Sequence, residues 1–481
     1  MSKKTKMKLE KKVYLLYPPL SKQERFSSNI SDAGGKEIPL GIFYLASYLR
    51  ENGFKVKIAD AEAEKLTKEN IINEIKDFSP DFVGISSTTV AFHRTLEIAK
   101  FIKRKVKKIK IIVGGPHVTS NTDHAMSYNV FDYGVLKEGE ITILELLNAL
   151  YENKPINNIK GIAYKKNNKI IITPPREYIN NLDILPFPAY NLIKNIKLYS
   201  PSPANYKSLP VINLITSRGC PYSCTFCDKN VFGQIYRERS AKNISMEIKY
   251  LWKNYNVKEI AFVDDIFLMN RKRIYDLFDI LDKEKIEFNW SCKARVNNVD
   301  FEFLKFIKQK GCWRISFGIE SGDKNILKGI KKHISLNQVE KVVNWCKKLK
   351  IKTTGFFIIG HPCETLETIN KTINFSCKLR LHNAIFTINT PLPGSPQYNE
   401  IEKYGKIDKT NWSQFNYWRP VFIPKGLTKK KLLQKHRESY RRFYWRPRII
   451  FEFFLSFLGV GGFTRFKSLI RPSLYLFEKC N

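Results

Sequence analysis

Acidic residues are few in this sequence of 481 residues. Asp and Glu number 45 against 82 Lys and Arg, so the formal net charge is +37. Two interpretations fit this excess: a compositional bias spread along the chain, or a polyanionic partner such as nucleic acid or an anionic membrane. Hydrophobic residues make up 43% and aromatic residues 13% of the chain, which excludes a disordered protein and predicts a globular one.

No long apolar run opens the chain, which begins MSKKTKMKLEKK and continues with the short, proline-terminated stretch VYLLYPPL. We therefore expect no signal peptide and a cytoplasmic, reducing location. In that location clustered cysteines are more often metal ligands than disulfides, and a small disulfide scaffold is excluded. Three of the nine cysteines are clustered, and the six scattered ones are expected to be ordinary buried or inert thiols.

Short apolar runs alternate with helical periods in the first third of the chain. Strands are predicted at 13–18, 55–60, 81–87, 110–116 and 131–136, with helices at 40–52, 90–105 and 141–151. Strands that alternate with helices indicate a parallel sheet covered on both faces. Residues 10–151 are therefore predicted to form a doubly wound, Rossmann- or flavodoxin-like domain whose ligands bind beyond the carboxyl ends of the strands.

A second alternation predicts six strand–helix units. Their strands fall at 211–216, 259–265, 288–296, 313–320, 352–360 and 384–392, with helices such as 271–284 and 337–350 between them. Six units are typical of a partial TIM-type barrel, (β/α)6, over residues 206–400, with chemistry at the carboxyl ends of the strands. The predicted fold class is α/β, with a proline-rich connector that carries mixed short strands over 152–205 and a helical C-terminal region over 401–481.

The three clustered cysteines form the pattern Cys220-Pro-Tyr-Ser-Cys224-Thr-Phe-Cys227, just after the first strand of the predicted barrel. Thiolates spaced as C-x3-C-x2-C can wrap one face of a 4Fe–4S cube and leave one iron without a protein ligand. A zinc site would need a fourth Cys or His at a regular spacing, and Asp228 is the only nearby candidate. The spacing favours an iron–sulfur cluster and leaves zinc or coincidence as alternatives.

This loop resembles that of the radical S-adenosylmethionine (SAM) enzymes, in which an aromatic residue, here Phe226, precedes the third cysteine. Four further segments match that family in order: Val263-Asp264-Asp265-Ile266-Phe267, Gly318-Ile319-Glu320-Ser321-Gly322, Gly360-His361-Pro362-Cys363-Glu364-Thr365 and Pro391-Leu392-Pro393-Gly394-Ser395. Cys363 departs from the pattern, because the family usually has glycine there. It is either a tolerated small residue or a thiol near the active site, and it is strained if the turn needs a positive φ.

The resemblance implies that Cys220, Cys224 and Cys227 hold the cluster, whose open iron chelates SAM. It implies SAM contacts at the strand ends, from Asp264 or Asp265 to the ammonium group, from Ser291, Lys293 and Arg295 on one strand face to the carboxylate or ribose, from Glu320 to the ribose or ammonium, and from Gly360 and Gly394 to the adenine. The structural alternatives are a strand-end cap for Asp264, solvated charges for Lys293 and Arg295, and a salt bridge for Glu320.

The domain before the barrel resembles the cobalamin-binding domain of one class of radical SAM enzymes. The matching stretches are Tyr17-Pro18-Pro19, Pro39-Leu40-Gly41, Gly84-Ile85-Ser86-Ser87, Gly114-Gly115-Pro116-His117 and Lys137-Glu138-Gly139-Glu140. The resemblance implies cobalamin contacts from Ser86, Ser87, Thr88, Gly114, Gly115, His117 and Glu138. The signature Asp-x-His-x-x-Gly is absent, so His117 is expected to orient a loop and not to ligate cobalt. Glu138 and Glu140 could alternatively favour the following helix through its dipole.

The family resemblance implies a cobalamin-dependent enzyme that forms a 5′-deoxyadenosyl radical and modifies an unactivated carbon of a small molecule. Methyl transfer through methylcobalamin is the main expectation, with cyclisation or ring rearrangement as the alternative. An external electron donor of flavodoxin or ferredoxin type is implied. Two hypotheses come from other classes: a zinc-containing nucleic-acid-binding protein, and a corrin carrier without catalysis.

The C-terminal region has a basic, aromatic stretch over 429–448 and an apolar one over 449–463 that is too short and interrupted to span a bilayer. This pattern fits either peripheral contact with an anionic inner membrane face or a helical lid on the barrel. A lipid or isoprenoid substrate is a hypothesis from the same stretch. Nucleic-acid binding is disfavoured because no recognised nucleic-acid-binding fold accompanies the charge.

Overall fold

The computed structural model describes residues 10–26, 34–202 and 205–451. The helices with described bounds are α1 (Lys22–Phe26), α2 (Leu40–Glu51), α3 (Lys68–Phe78), α4 (Phe92–Lys105), α5 (Pro116–Ser120), α6 (Thr122–Ser127), α7 (Gly139–Tyr151), α8 (Ala241–Tyr255), α9 (Arg271–Lys283), α10 (Phe301–Gln309), α11 (Lys324–Gly329), α12 (Leu336–Lys348), α13 (Leu366–Lys378), α14 (Pro396–Glu400) and α15 (Lys429–Tyr444). The strands are β1 (Lys12–Tyr17), β2 (Lys55–Asp60), β3 (Phe82–Ser86), β4 (Lys110–Gly114), β5 (Tyr133–Val135), β6 (Ile162–Lys166), β7 (Lys169–Ile172), β8 (Val211–Leu214), β9 (Ser217–Arg218), β10 (Arg237–Glu238), β11 (Glu259–Phe262), β12 (Asn289–Ala294), β13 (Cys312–Glu320), β14 (Lys352–Ile359), β15 (Asn383–Ile388), β16 (Gly405–Ile407) and β17 (Phe422–Pro424).

The chain divides into two units, the first made of residues up to 20, 39–179 and 184–195, and the second of the remainder. The first unit holds a seven-stranded sheet in the order β2-β1-β3-β4-β5-β6-β7, whose first five strands are parallel. The apolar runs of β1, β3 and β4 are buried because helices cover both faces. The predicted doubly wound domain is confirmed.

Local sequence explains where the helices of this unit begin. Thr67 and Asn70 form a capping box at the start of α3, each side chain accepting from the other residue's backbone N–H. The helix then buries Ile71 and Ile75 against the sheet. This periodicity of 3.6 residues is what separates α3 from the strands that flank it.

Residues 152–205, predicted as a connector with mixed short strands, include β6 and β7, which add an antiparallel hairpin to the first sheet. Its turn is Asn167-Asn168, with φ values of +51° and +58°. Two successive left-handed residues are what a tight two-residue hairpin turn requires, and asparagine tolerates them. The Asn-Asn pair between two short alternating runs was the sequence signal for this hairpin.

The second unit contains six parallel strands in the order β15-β14-β13-β12-β11-β8, as the (β/α)6 prediction requires. Trp290 of β12 packs against Phe278 of α9, with ring centroids 5.4 Å apart. Trp290 and every second residue after it on β12 therefore face the outer helices. Ser291 and Lys293, which alternate with them, face the barrel interior.

Helix α15 covers the free edge of β15. The hydroxyl of Tyr440 accepts from the backbone N–H of Phe386 at 3.1 Å and donates to its carbonyl oxygen at 3.0 Å. Tyr444 makes the same pair of contacts with Ala384, at 3.3 and 2.9 Å. Unpaired strand edges are open to unwanted pairing, so α15 acts as the lid that the sequence suggested as an alternative.

The aromatic residues of this stretch are less available to a membrane than the sequence suggested. Tyr440 and Tyr444 hydrogen-bond to the backbone of β15, and Phe443 is buried. The apolar stretch 449–463 lies mostly outside the described residues. Within the described part of the chain, no helix is both long enough and apolar enough to cross a bilayer.

Candidate active site

The three clustered cysteines lie in a loop at the carboxyl end of β8. Strands β9 and β10 pair antiparallel and close the base of this loop. Gly219, which precedes Cys220, has a φ of +85°, and a Cβ there would lie 2.2 Å from the carbonyl oxygen of Ile235. Only glycine, which has no Cβ, can lie so close to that carbonyl oxygen. This contact therefore fixes the backbone course of the loop.

Two of the three thiols have a raised pKa. Burial, together with the neighbouring Cys224, raises the pKa of Cys227 to about 12 and raises that of Cys220. Among residues 10–26, 34–202 and 205–451, no three His, Cys, Asp or Glu side chains are grouped as a site for a single metal ion. The thiols fit a cluster in that they share one loop, and a bound cluster would take them as thiolates.

The cysteine loop contacts segments that follow four other barrel strands. Arg295, after β12, donates from Nη1 to Cys224 Sγ at 3.4 Å. The Thr225 N–H donates to the carbonyl oxygen of Ile330 at 3.1 Å, and its carbonyl oxygen accepts from the Gln397 N–H at 2.9 Å. The ring of Phe226 lies 5.9 Å from that of His361, centroid to centroid. Predicted residues from distant parts of the sequence thus meet at the carboxyl ends of the strands.

The two predicted aspartates differ in their surroundings. Asp264 is buried, and its Oδ1 accepts from the backbone N–H and hydroxyl of Thr216, at 2.9 and 2.8 Å, and from the Ser217 hydroxyl. This is the strand-end cap that the sequence left as an alternative. The Asp265 side chain is exposed to solvent, although the protein packed around it partly desolvates the carboxylate and so raises its pKa. The Lys293 ammonium opposes that shift. Asp265 is therefore the aspartate available to an ammonium group.

Glu320 forms a buried ion pair with Lys332, 2.7 Å between Oε1 and Nζ. It lies at a β-bulge with a φ of +68°. A Cβ on Gly318 would lie 2.4 Å from Glu320 Oε1 and 2.8 Å from Lys332 Nζ, so the glycine leaves room for the pair. The salt-bridge alternative for Glu320 is what the structure shows, and Lys332 stands 5.9 Å from the Phe226 ring centroid.

The turn after β14 is built on left-handed backbone. Gly360 and Cys363 have φ values of +85° and +62°, so Cys363 does occupy a strained position and exposes its thiol. Glu364 accepts from the N–H of His361 at 3.0 Å and from that of Gly360. Burial raises the pKa of Glu364 to about 8 and, with the Lys332 charge, lowers that of His361 to about 3.

The glycines predicted near adenine share this conformation, with a φ of +86° at Gly394. A Cβ on Gly360 would lie 3.2 Å from the Leu432 side chain of α15. The structure therefore places the lid helix α15 close to Gly360.

One wall of the barrel interior is accessible and mostly apolar. Its partly exposed members are Gly318, Phe356, Ile358, Ile385 and Thr387, whereas the alternate residues of β14 and β15 are buried against the outer helices. Across the sheet, Ser291 is buried within 3.5 Å of the Arg314 guanidinium, and Lys293 is exposed. The interior thus has an apolar side and a side with a cation.

The predicted corrin residues lie at the carboxyl edge of the first sheet. Ser86 and Thr88 are partly exposed, but Ser87 is buried and its hydroxyl accepts from Thr95 at 2.9 Å. Gly115 has φ +95° and ψ −176°, a region that only glycine adopts readily. A Cβ there would lie 2.8 Å from the Ser87 carbonyl oxygen. Glycine is therefore needed here because the protein's own backbone lies so close. Gly114 similarly approaches the carbonyl oxygen of Val135, at 3.3 Å from its would-be Cβ.

His117 has both ring nitrogens engaged, with Thr89 Oγ1 at 3.3 Å and with His124 at 3.1 Å. Burial and the neighbouring His124 lower the pKa of His117 to about 3, so it stays neutral. This fits the expectation that it orients a loop. Glu138 accepts from the N–H of Ile179 at 2.8 Å and makes no side-chain cap on α7.

Replacing Gly115 with alanine should destabilise the first unit by about 1–3 kcal/mol from backbone strain, with a further cost from the contact at Ser87. Gly41→Ala in α2 is the matched control, because a Cβ there meets nothing within 4 Å. The free energy of unfolding from urea titration should fall only for the Gly115 variant. Equal stability of the two variants would show that Gly115 is not required for this path.

Comparison with known proteins identifies both units. The family model of the B12 binding domain matches residues 27–147, and that of the Radical SAM superfamily matches residues 214–376. An uncharacterized methyltransferase of Pyrococcus horikoshii is 37% identical over 418 residues, covering 86% of this chain and 89% of that protein. The chain belongs to the cobalamin-dependent radical SAM enzymes.

Two further proteins resemble the chain over most of its length. The anaerobic magnesium-protoporphyrin IX monomethyl ester cyclase of Rubrivivax gelatinosus is 28% identical, covering 86% of this chain and 75% of the cyclase. The structure of the radical SAM methyltransferase TsrM from Kitasatospora setae, with cobalamin and a 4Fe–4S cluster bound, has a TM-score of 0.67 at 18% identity. It covers 82% of this chain and 75% of TsrM. The predicted order of domains is confirmed, and neither family match supports a zinc nucleic-acid-binding protein.

Several residues that hold the site residues of this radical SAM barrel in place were not predicted from the sequence. Lys332 follows α11 in Gly-Ile-Lys-Lys and belongs to no recognised motif, so nothing in the sequence pointed to its pairing with Glu320. His361 and Glu364 stood inside a quoted motif, where the glutamate's position four residues after Gly360 was the signal for a turn held by backbone N–H donors.

Proposed function

We propose that this enzyme transfers a methyl group to an unactivated carbon of a small molecule, using SAM, a 4Fe–4S cluster and cobalamin. The observation that carries the proposal is the three-cysteine loop seated at the carboxyl ends of a six-stranded radical SAM barrel, in a chain with a B12 binding domain. When bound, these groups supply a 5′-deoxyadenosyl radical and a methyl group. The Pyrococcus relative's name supports methyl transfer, and the cyclase supports ring closure as the second candidate.

The barrel residues divide the work of holding the cluster and SAM. Cys220, Cys224 and Cys227 bind the cluster. Asp265, an exposed residue, accepts from the ammonium group of SAM. Lys293, on the neighbouring strand, faces the carboxylate group of SAM. Ser291, Phe226, Glu320, Gly360 and Gly394 remain proposed contacts by family resemblance. The apolar interior wall excludes water from the substrate carbon.

In the first unit, the accessible hydroxyls of Ser86 and Thr88 fit hydrogen bonds to the corrin or its tail. The glycine pair Gly114-Gly115 shapes the edge beside them. His117, engaged with Thr89 and His124, would orient this edge and would not bind cobalt. These residues would therefore hold cobalamin at this edge, where it would supply the methyl group.

Reduction of the cluster needs an external donor of flavodoxin or ferredoxin type. The net charge of +37 favours an acidic partner through long-range attraction. Peripheral membrane contact and a lipid or isoprenoid substrate stay hypotheses, since the apolar stretch 449–463 lies mostly outside the described residues and α15 of the basic stretch packs on β15.

The test is anaerobic reconstitution followed by reaction with SAM carrying a deuterated methyl group, a reductant and metabolite extract from a strain that lacks the gene. We expect 5′-deoxyadenosine and S-adenosylhomocysteine together, and one metabolite that gains the labelled methyl group. Deoxyadenosine with an unlabelled, modified metabolite would indicate the cyclase alternative. A fully loaded protein that forms neither nucleoside would contradict the proposal.

A further inference from the structure

Arg295 is a buried cation without a carboxylate partner in the part of the chain that the structure describes. Its Nη1 donates to Cys224 Sγ at 3.4 Å, and its Nη2 donates to the carbonyl oxygen of Lys332. The guanidinium carbon lies 3.7 Å from the ring centroid of Tyr222, inside the cysteine loop. The residue is only 6% exposed. A buried charge is costly unless a charge of opposite sign lies close to it.

Lys332, another buried cation near the cysteine loop, shows the contrast. Lys332 has its counter-charge within the barrel, because Glu320 lies 2.7 Å away. Arg295 has no such group among the described residues, and its hydrogen-bond partner able to carry negative charge is the sulfur of Cys224, 3.4 Å from Nη1. The guanidinium is therefore matched to a thiolate, the form that Cys224 takes when it binds iron.

We propose that Arg295 is a positioning residue that raises the reduction potential of the cluster through its hydrogen bond to Cys224. The inference rests on the proposed function, since it requires the cluster. A cube held by three thiolates is anionic, and one-electron reduction by the external donor adds negative charge. A fixed cation beside one of the sulfurs stabilises the reduced state more than the oxidised state, as hydrogen bonds to cluster sulfurs do.

The geometry is specific to arginine. Its planar fork reaches a sulfur and a backbone carbonyl oxygen together while its face stacks on Tyr222, whereas a lysine ammonium is a point charge without that fork. The sequence prediction directed Arg295 to the carboxylate or ribose of SAM. Its contacts instead assign it to the protein side of the cluster.

The experiment is a redox titration of the reconstituted protein, followed by the electron paramagnetic resonance of the reduced cluster, for the wild type, Arg295→Gln and Arg295→Lys. We expect Arg295→Gln to bind as much iron as the wild type and to show at least a tenfold lower ratio of reduced to oxidised cluster at a fixed potential. That ratio corresponds to 59 mV for a one-electron couple. Arg295→Lys should shift in the same direction by less.

Arg442→Gln is the matched control, because Arg442 lies on α15 with Asn374 and Glu438 as partners and should leave the potential unchanged. An unchanged potential in an iron-replete Arg295→Gln protein overturns the inference. If that variant does not assemble its cluster, Arg295→Lys decides, and a wild-type potential there also overturns it. A wild-type protein that holds no cluster would instead contradict the proposed function.

Discussion

Replacing Cys224 with alanine is expected to abolish formation of 5′-deoxyadenosine and to remove most of the bound iron. Cys224 is buried, it influences the protonation of both other clustered thiols, and it accepts from Arg295. Without it, two thiolates remain to hold a cube that the spacing provides with three. The measurements are iron and acid-labile sulfide per chain, the visible absorbance of the reconstituted protein, and deoxyadenosine formed with SAM and reductant.

Cys346→Ala is the control for this variant. Cys346 is equally buried but lies on α12 in the outer layer, where burial raises the pKa of its thiol to about 12 and favours an ordinary neutral core residue. This variant should keep wild-type iron and product. Deoxyadenosine at the wild-type level in the Cys224 variant would show that the cluster is held elsewhere.

The fold was predictable because its signals are local. The alternation of apolar runs with helical periods placed β11 and β12 within a few residues of their observed bounds. The parallel order then brings the carboxyl ends together, so motifs far apart in sequence predict one site. Short strands were expected in the region of β6 and β7, but their pairing as a hairpin was not, because the turn uses asparagine in place of glycine.

The roles of individual side chains were less predictable, because they depend on partners distant in sequence. Asp264 and Asp265 are adjacent and chemically alike, yet one ties down Thr216 and the other is exposed. The sequence predicts that Gly115 faces a ligand. Only the fold shows that the backbone of Ser87 occupies the space beside it. Spacing identifies the residue types that a site needs and leaves open which of them face the ligand.

Replacing Lys332 with methionine should lower the free energy of unfolding by about 3–5 kcal/mol, because it leaves the Glu320 carboxylate buried without its partner. Both side chains are 7% exposed, so water cannot substitute for the lost ammonium. Urea unfolding followed by tryptophan fluorescence measures the loss in the apoprotein. Unchanged stability would show that the pair is not structural.

The double variant Lys332→Met with Glu320→Gln separates the two roles considered for Glu320. Removing both charges should restore much of the lost stability, and the four proteins of the cycle give the coupling energy of the pair. If Glu320 serves only this ion pair, the double variant should bind SAM as tightly as the wild type in equilibrium dialysis. A stable double variant with weakened SAM binding would show that the carboxylate also accepts from the ribose or ammonium group, and that Lys332 holds it in place for that contact.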